Sequence, residues 1–389
     1  MESDLYQRLK TLLGCPTAPF REQQVRELAA QWLDRWRVPH FQDPAGNLVV
    51  GVDGPGAYRR LVRARSGEPV RLFIAHMDHP GFHGTRWLDA RHLEIKWHGG
   101  SPVKHLAGAR VWLSAGDGYA GEGTLHKATL LPSGRAMDRA QVRVAAGALA
   151  GAKVGPRRLF GGFAFRAPVW RAGQRIYTKA ADDLVGVFCI LETARGLYSS
   201  RRRRPPFIGL LTRGEEVGFV GAMAHLELGW WRGGHRGVLA VSLEASRTLP
   251  GARVGRGPVV RLGDRRTVFD PDGLKVLSDL AEGALPGRHQ SRLMDGGACE
   301  ATAATVFGLP AVGLSVPLGN YHNQGFEGGA DCRAKDGPAP EFVHLSDIDG
   351  QLRLCQALMR PRLGWRDPWR EQRGRLGKNR AGYRRLLGA

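Results

Sequence analysis

The sequence has no apolar run near the roughly 18 residues a membrane span needs, so a transmembrane helix is not expected. Cysteine is scarce: five in 389 residues, Cys15, Cys189, Cys299, Cys332 and Cys355, odd in number and without a CxxC pair. That excludes a disulfide scaffold and a thiolate zinc ribbon, and it fits a reducing compartment. The opening MESDLYQRLKTLLGC brings acids early and no apolar signal core, so a cytoplasmic location is expected. Lysine is scarce as well. Only nine of the 57 basic residues are Lys, a bias that points to a GC-rich genome more than to a binding surface. Acids number 36, leaving a formal net charge of +21. Residues 360–389 alone hold ten Lys and Arg against Asp367 and Glu371, a net +8. The chain is otherwise that of a globular protein, 42% hydrophobic and 24% charged. Its length exceeds one typical domain of roughly 100–200 residues, which predicts two domains or one domain with an insertion.

Apolar periodicity places two amphipathic helices before residue 37, on Leu5, Leu9, Leu12 and Leu13 and then on Val25, Leu28, Ala29, Trp32 and Trp36. GNLVVGV (46–52) and VRLFIAHMD (70–78) read as strands. After Asp182 helices and strands alternate, from DLVGVFCILETARGLY through FIGLLTRGEE, GVLAVSLEAS and PAVGLSVP to a closing helix LSDIDGQLRLCQALM. Such alternation predicts an α/β fold: a mainly parallel sheet with helices on both faces. Residues 84–173 break the rhythm with short β-type runs (HLEIKW, ARVWLSA, AQVRVAA, RLFGGFAF) separated by turn residues. They read as an inserted small β-barrel domain, leaving 1–83 and 174–360 as a discontinuous catalytic domain and 361–389 as a basic C-terminal tail. RRRRPP (201–206) reads as a surface turn.

The chemistry lies near the carboxyl ends of the expected strands, where open α/β sheets bind ligands. These residues are His76 and Asp78 in AHMDHPGF, Asp182 and Asp183 in KAADDLVG, Glu215 and Glu216 in TRGEEVG, Glu244 in VSLEAS and His322 in GNYHN. Two His with several carboxylates form an N/O ligand set suited to zinc, cobalt or manganese. Two divalent ions close together need a carboxylate that reaches both. Asp182 is the natural bridge, leaving one His and one Glu for each ion. A lone buried His is more often a core residue, and adjacent acids usually face water. Yet GEE directly follows the apolar FIGLL, where exposed acids have no structural reason to be. His83, His105, His126, His235, His289 and His344 fit no motif and read as structural or surface residues, and Cys299 as a helix-start cysteine rather than a nucleophile.

HMD, ADD, GEEVG, SLE and a late YH, in this order and spacing, resemble the co-catalytic dizinc metallopeptidases, and most closely the tetrahedral (glutamyl/deblocking) aminopeptidase family. Residues 76 and 182 are far enough apart for the β insertion, which among these relatives is the tetrahedral family's arrangement. The resemblance implies that His76, Asp182 and Glu244 hold one metal and Asp182, Glu216 and His322 the other. It makes Glu215 the general base and Asp78 the hydrogen-bond partner of a histidine ring, and it implies a cis peptide after Asp182. It further implies an aminopeptidase that cleaves N-terminal residues from peptides with a metal-held water, assembled with copies of itself through residues 84–173. A zinc-dependent deacylase with the same metals is the alternative, or a non-catalytic polyanion-binding protein that keeps the fold. The basic tail could add weak nucleic-acid or anionic-surface contact. Three positions depart from the family pattern and are expected to line the cleft: His79 where an acid is usual, Glu300 where Asp is common, and GNYHN before the last ligand.

Overall fold

The computed structural model describes residues 3–65, 67–145, 149, 154–199 and 205–387. Its central eight-stranded sheet runs in the order His40–Gln42, Leu48–Val50, Phe207–Thr212, Val70–His76, Val238–Arg247, Ala311–Leu318, Val259–Gly263, Gln290–Leu293. Pairing is parallel through the four strands from Phe207–Thr212 to Ala311–Leu318 and again between the last two. The sheet is thus mainly parallel.

Successive residues of a strand face opposite sides, and both sides are apolar here. Val70, Leu72 and Ile74 join one buried layer, Phe73 and Ala75 the other; Ile208 and Leu210 oppose Phe207 and Leu211 in the same way. Helices Ser3–Gly14, Gln23–Arg35, Leu184–Ser199 and Leu345–Leu358 cover one face. Pro55–Arg63, Val220–Glu227 and Glu300–Val306 cover the other. Leu184–Ser199 is apolar nearly all round, from Leu184 to Ala194, as a helix buried under a sheet must be. Pro55–Arg63 has no counterpart in the sequence expectations, because its two buried residues, Tyr58 and Val62, are too few to display a period.

A closed antiparallel barrel leaves this body directly after the strand that carries His76. Its six strands are Gly81–Trp87, His92–His98, Met137–Val144, Tyr119–Leu130, Arg110–Ser114 and Phe160–Phe163, in spatial order. The barrel has its own core, including Phe82, Ile95, Trp97, Val111, Leu125 and Phe163. A hairpin of Val169–Ala172 and Arg175–Thr178 returns the chain and pairs with Glu341–His344. The tail carries a helix, Arg370–Tyr383, where apolar periodicity announces none. Arg201–Arg204 of the RRRRPP turn lie outside the described residues. Among the described residues no helix is long and apolar enough to cross a membrane.

Candidate metal centre and active site

The side chains singled out in the sequence converge at one end of the sheet. His76 is the last residue of its strand, Glu215 and Glu216 follow Phe207–Thr212, Glu244 lies late in Val238–Arg247, and His322 follows Ala311–Leu318. Asp182 precedes the buried helix Leu184–Ser199, and the Asp182–Asp183 peptide is cis.

His76, Asp182 and Glu216 offer ligand atoms that all lie within 4.8 Å of one another. Asp182 stands between two histidines: Oδ1 is 3.5 Å from His76 Nε2, and Oδ2 is 3.7 Å from His322 Nε2. His322 Nε2 is also 3.2 Å from Glu216 Oε2. Asp182 Oδ1 and Glu216 Oε1 are buried without a hydrogen-bond partner. Buried polar atoms are rarely left so, and these are donor types that zinc, cobalt and manganese accept. The residues fit a metal centre.

The local electrostatics agree. Burial disfavours a charged His76, yet Glu215, Asp182 and Asp78 outweigh it and hold the ring well above the ordinary imidazole value. Burial and then Glu216, Glu244 and Glu300 push the Glu215 carboxyl far up, against the pull of His76. Burial likewise raises Glu244 to about 7 and Glu300 to about 8. Carboxylates outnumber cations in this water-poor region, a surplus of negative charge that bound divalent ions would neutralise.

Some expectations need correction. Glu215 and Glu216 do not sit on a strand; they form a one-turn helix, Glu215–Val217. Their side chains still diverge, Glu215 Oε2 lying 3.9 Å from His76 and Glu216 beside His322. The His76 ring N–H meets the main-chain carbonyl of Asp78 at 3.1 Å rather than its carboxylate. That carboxylate instead accepts the backbone N–H groups of Glu215 (3.0 Å) and Glu216 (3.1 Å), so Asp78 positions both acids through their main chain. Glu244, like His322, is not one of the three clustered residues; its carboxylate accepts from Ser242 Oγ at 3.2 Å and faces Arg261 Nη1 at 3.7 Å. His79 and Glu300 are buried beneath the site and do not line the cleft. His79 donates to the main-chain carbonyl of Asp182 at 2.8 Å, and Glu300 accepts from Thr212 Oγ1.

Glu341 escapes the sequence reading altogether. Fully buried, it accepts from Ala181 N (2.7 Å) and Asp182 N (3.2 Å) through one oxygen and from His322 N (2.9 Å) through the other. It thereby ties the loop of Asp182 to a turn in which Asn320, His322 and Asn323 all have positive φ. The only local signal was an acid set among apolar residues in APEFV.

A cleft of about 550 Å³ opens beside His322 and Glu244, lined in part by Arg135, Arg247, Arg261 and Asp295. Gly100 and Ser101 of the barrel also line it. The inserted barrel therefore reaches the active-site cleft, which its sequence does not announce. Trp97 Nε1–H holds the barrel loop by donating to the Gly100 carbonyl at 3.0 Å. A Cβ on Gly100 would lie 2.1 Å from His322 Nδ1. Gly100→Ala should therefore displace the imidazole and cost about 10²-fold in kcat/KM, the scale of a 1 Å misplacement. Steady-state kinetics beside a melting curve check this; unchanged kcat/KM means that the loop recedes instead.

Comparison with known proteins places the chain among the peptide hydrolases. The sequence model of the M42 glutamyl aminopeptidase family matches residues 58–326, and the chain belongs to that family. Solved structures similar to it include a TET aminopeptidase from a marine-sediment Thaumarchaeota archaeon, with a TM-score of 0.71, 20% identity, and coverage of 93% of this chain and 98% of that one. An aminopeptidase of the archaeon Desulfurococcus kamchatkensis gives 0.70, 22%, and coverage of 93% and 96%. The TET1 peptidase of Pyrococcus horikoshii gives 0.69, 21%, and coverage of 92% and 99%. At such identities the likeness is one of fold. No curated protein sequence matches the chain.

Proposed function

We propose that the chain is a two-metal aminopeptidase that removes N-terminal residues from peptides. The observation that carries this reading is Asp182, one carboxylate with an oxygen near each of two histidines on different elements. His76, Asp182 and Glu244 would hold one ion and Asp182, Glu216 and His322 the other, with zinc first and cobalt or manganese as alternatives. Bound ions of this kind supply positive charge that polarises the scissile carbonyl and makes water easier to deprotonate. Glu215 takes that proton and returns it to the leaving amine. Its side chain keeps 11% of its surface exposed, enough to meet a water. Asp78 holds the turn that presents it.

Arg135 and Arg247 in the cleft wall, with Arg261 facing Glu244 and only Asp295 set against them, favour an acidic side chain on the residue removed. Residues 1–83 and 174–360 form the catalytic body in this reading, and 84–173 the module through which copies assemble. Leu88, Tyr119, Leu130 and Leu131 support that surface, being exposed apolar residues on the barrel. A related structure described as a dodecamer, and another described as forming a tetrahedron or an octahedral shell, support assembly as well. The proposed setting is the cytoplasm.

The test is a panel of glutamyl, leucyl and lysyl amides together with N-acyl amino acids, with and without chelator, on protein sized by light scattering. Glutamyl amide should be turned over fastest, chelator should abolish it, and zinc, cobalt or manganese should restore it. Turnover of the N-acyl amino acids alone would make the chain a deacylase. A monomer at micromolar concentration would overturn the assembly.

A further inference from the structure

We propose that the C-terminal helix Arg370–Tyr383 and the turn after it bind duplex DNA through its phosphates, without sequence preference and away from the active site.

This helix buries nothing, and every residue from Arg373 to Leu387 is exposed. Seven cations line the segment: Arg370, Arg373, Arg375, Lys378, Arg380, Arg384 and Arg385. Among the described residues only Arg373 has an acidic partner, Asp367. Arg370 and Arg373, Arg375 and Lys378, and Arg380 and Arg384 stand three or four positions apart, where like charges oppose helix formation. Gly374, Gly377 and Gly382 weaken it further. A helix with no core contact, whose seven cations are offset in the tail only by Asp367 and Glu371, is completed by an anion that meets many of those cations at once.

The distribution of charge selects the anion. At 100° per residue the cations spread around most of the helix circumference. Leu376 and Tyr383 are its only large apolar side chains and the turn adds Leu386 and Leu387, four in residues 370–387, too few for an apolar face broad enough to lie on a lipid surface. A duplex major groove admits a helix and sets phosphates along both of its walls. Cations pointing to both sides suit that groove. All but one are arginines, whose planar fork meets phosphate oxygens in pairs.

The attachment fits the same role. Trp369 Nε1–H donates to Asp272 Oδ1 at 2.7 Å, and Arg362 N–H to Glu68 Oε1 at 2.9 Å. The Arg71 guanidinium lies 5.8 Å from the centre of the Trp365 ring. These anchors sit where strands Val70–His76 and Val238–Arg247 begin, and the opposite ends of the same strands carry His76 and Glu244. A duplex held here leaves the cleft open.

The experiment titrates the full-length chain into a fluorescently labelled 20-base-pair duplex and reads anisotropy at several salt concentrations. With about six phosphate contacts, the logarithm of affinity should fall with a slope near −5 against log salt, an affinity loss of about 10³-fold between 50 and 200 mM. A full-length variant carrying Arg373→Gln, Arg375→Gln, Lys378→Gln, Arg380→Gln and Arg384→Gln keeps the tryptophan anchors. It should lose DNA binding with peptide turnover unchanged. DNA affinity equal to that of the parent protein overturns the proposal. So does tighter binding of the parent to phosphatidylserine vesicles than to the duplex at the same salt. Because binding is read without turnover, failure here leaves the peptidase reading untouched, and the reverse also holds.

Discussion

Glu215→Gln should destroy turnover while leaving metal content unchanged. Glutamine keeps the shape of glutamate and does not disturb the backbone N–H that Asp78 accepts at 3.0 Å, so the turn stays in place. What it loses is the ability to accept a proton. Removing a general base typically costs roughly 10²–10⁴-fold in rate, and a group that also protonates the leaving amine belongs at the upper end. Burial and the neighbouring acids place the Glu215 carboxyl far above the usual range in the metal-free protein. Bound cations act in the opposite direction and return it to the ionised form a base requires. The loss should therefore appear in kcat, with KM and metal stoichiometry little changed. Near-normal kcat for Glu215→Gln would remove it from the role of base.

Asp182→Asn should fail differently, by losing metal. Its two oxygens lie 3.5 and 3.7 Å from the two histidine Nε2 atoms. An amide there offers one neutral carbonyl oxygen in place of two charged ones, so mutual repulsion between two cations goes undercompensated. At least one ion should leave, and turnover should fall with it. Burial and then the Asp182 charge raise the carboxyls of Glu244, Asp183 and Glu341, but the same charge favours protonated His76 and His322, so its loss removes repulsion and attraction together. Stripped of metal, Asp182→Asn should therefore melt close to the parent. Elemental analysis tests the first half and thermal melting with chelator the second. Two tightly retained ions in Asp182→Asn would show that another carboxylate does the bridging.

Most parts of this centre that were legible in the sequence sit where a buried strand ends; Asp182, just before a buried helix, is the exception. VRLFIAHMD and FIGLLTRGEE are apolar runs that stop at polar residues, and such residues next to a core need a chemical reason to be there. The alternation after Asp182 showed the helices on both faces for a similar reason, since each element carries its own burial period. The barrel was visible as a loss of that rhythm. Pro55–Arg63 and Arg370–Tyr383 were not visible, one burying two residues and the other none.

Most of the strands and helices, the insertion and the acids and histidines of the centre other than Glu341 follow from the sequence by itself, because hydrophobic periodicity and residue chemistry are local. Which atoms meet was decided by tertiary structure. Asp78 serves the backbone of residues 215 and 216, 137 and 138 positions away, and Glu341 holds Ala181 from 160 positions away. The place of Glu244 beside Arg261 and of Gly100 beside His322 was settled in the same way. No local pattern records such pairings. They arise when the sheet brings strand ends together and the barrel folds back over them, and buried carboxylates and backbone N–H groups then take the partners that burial requires.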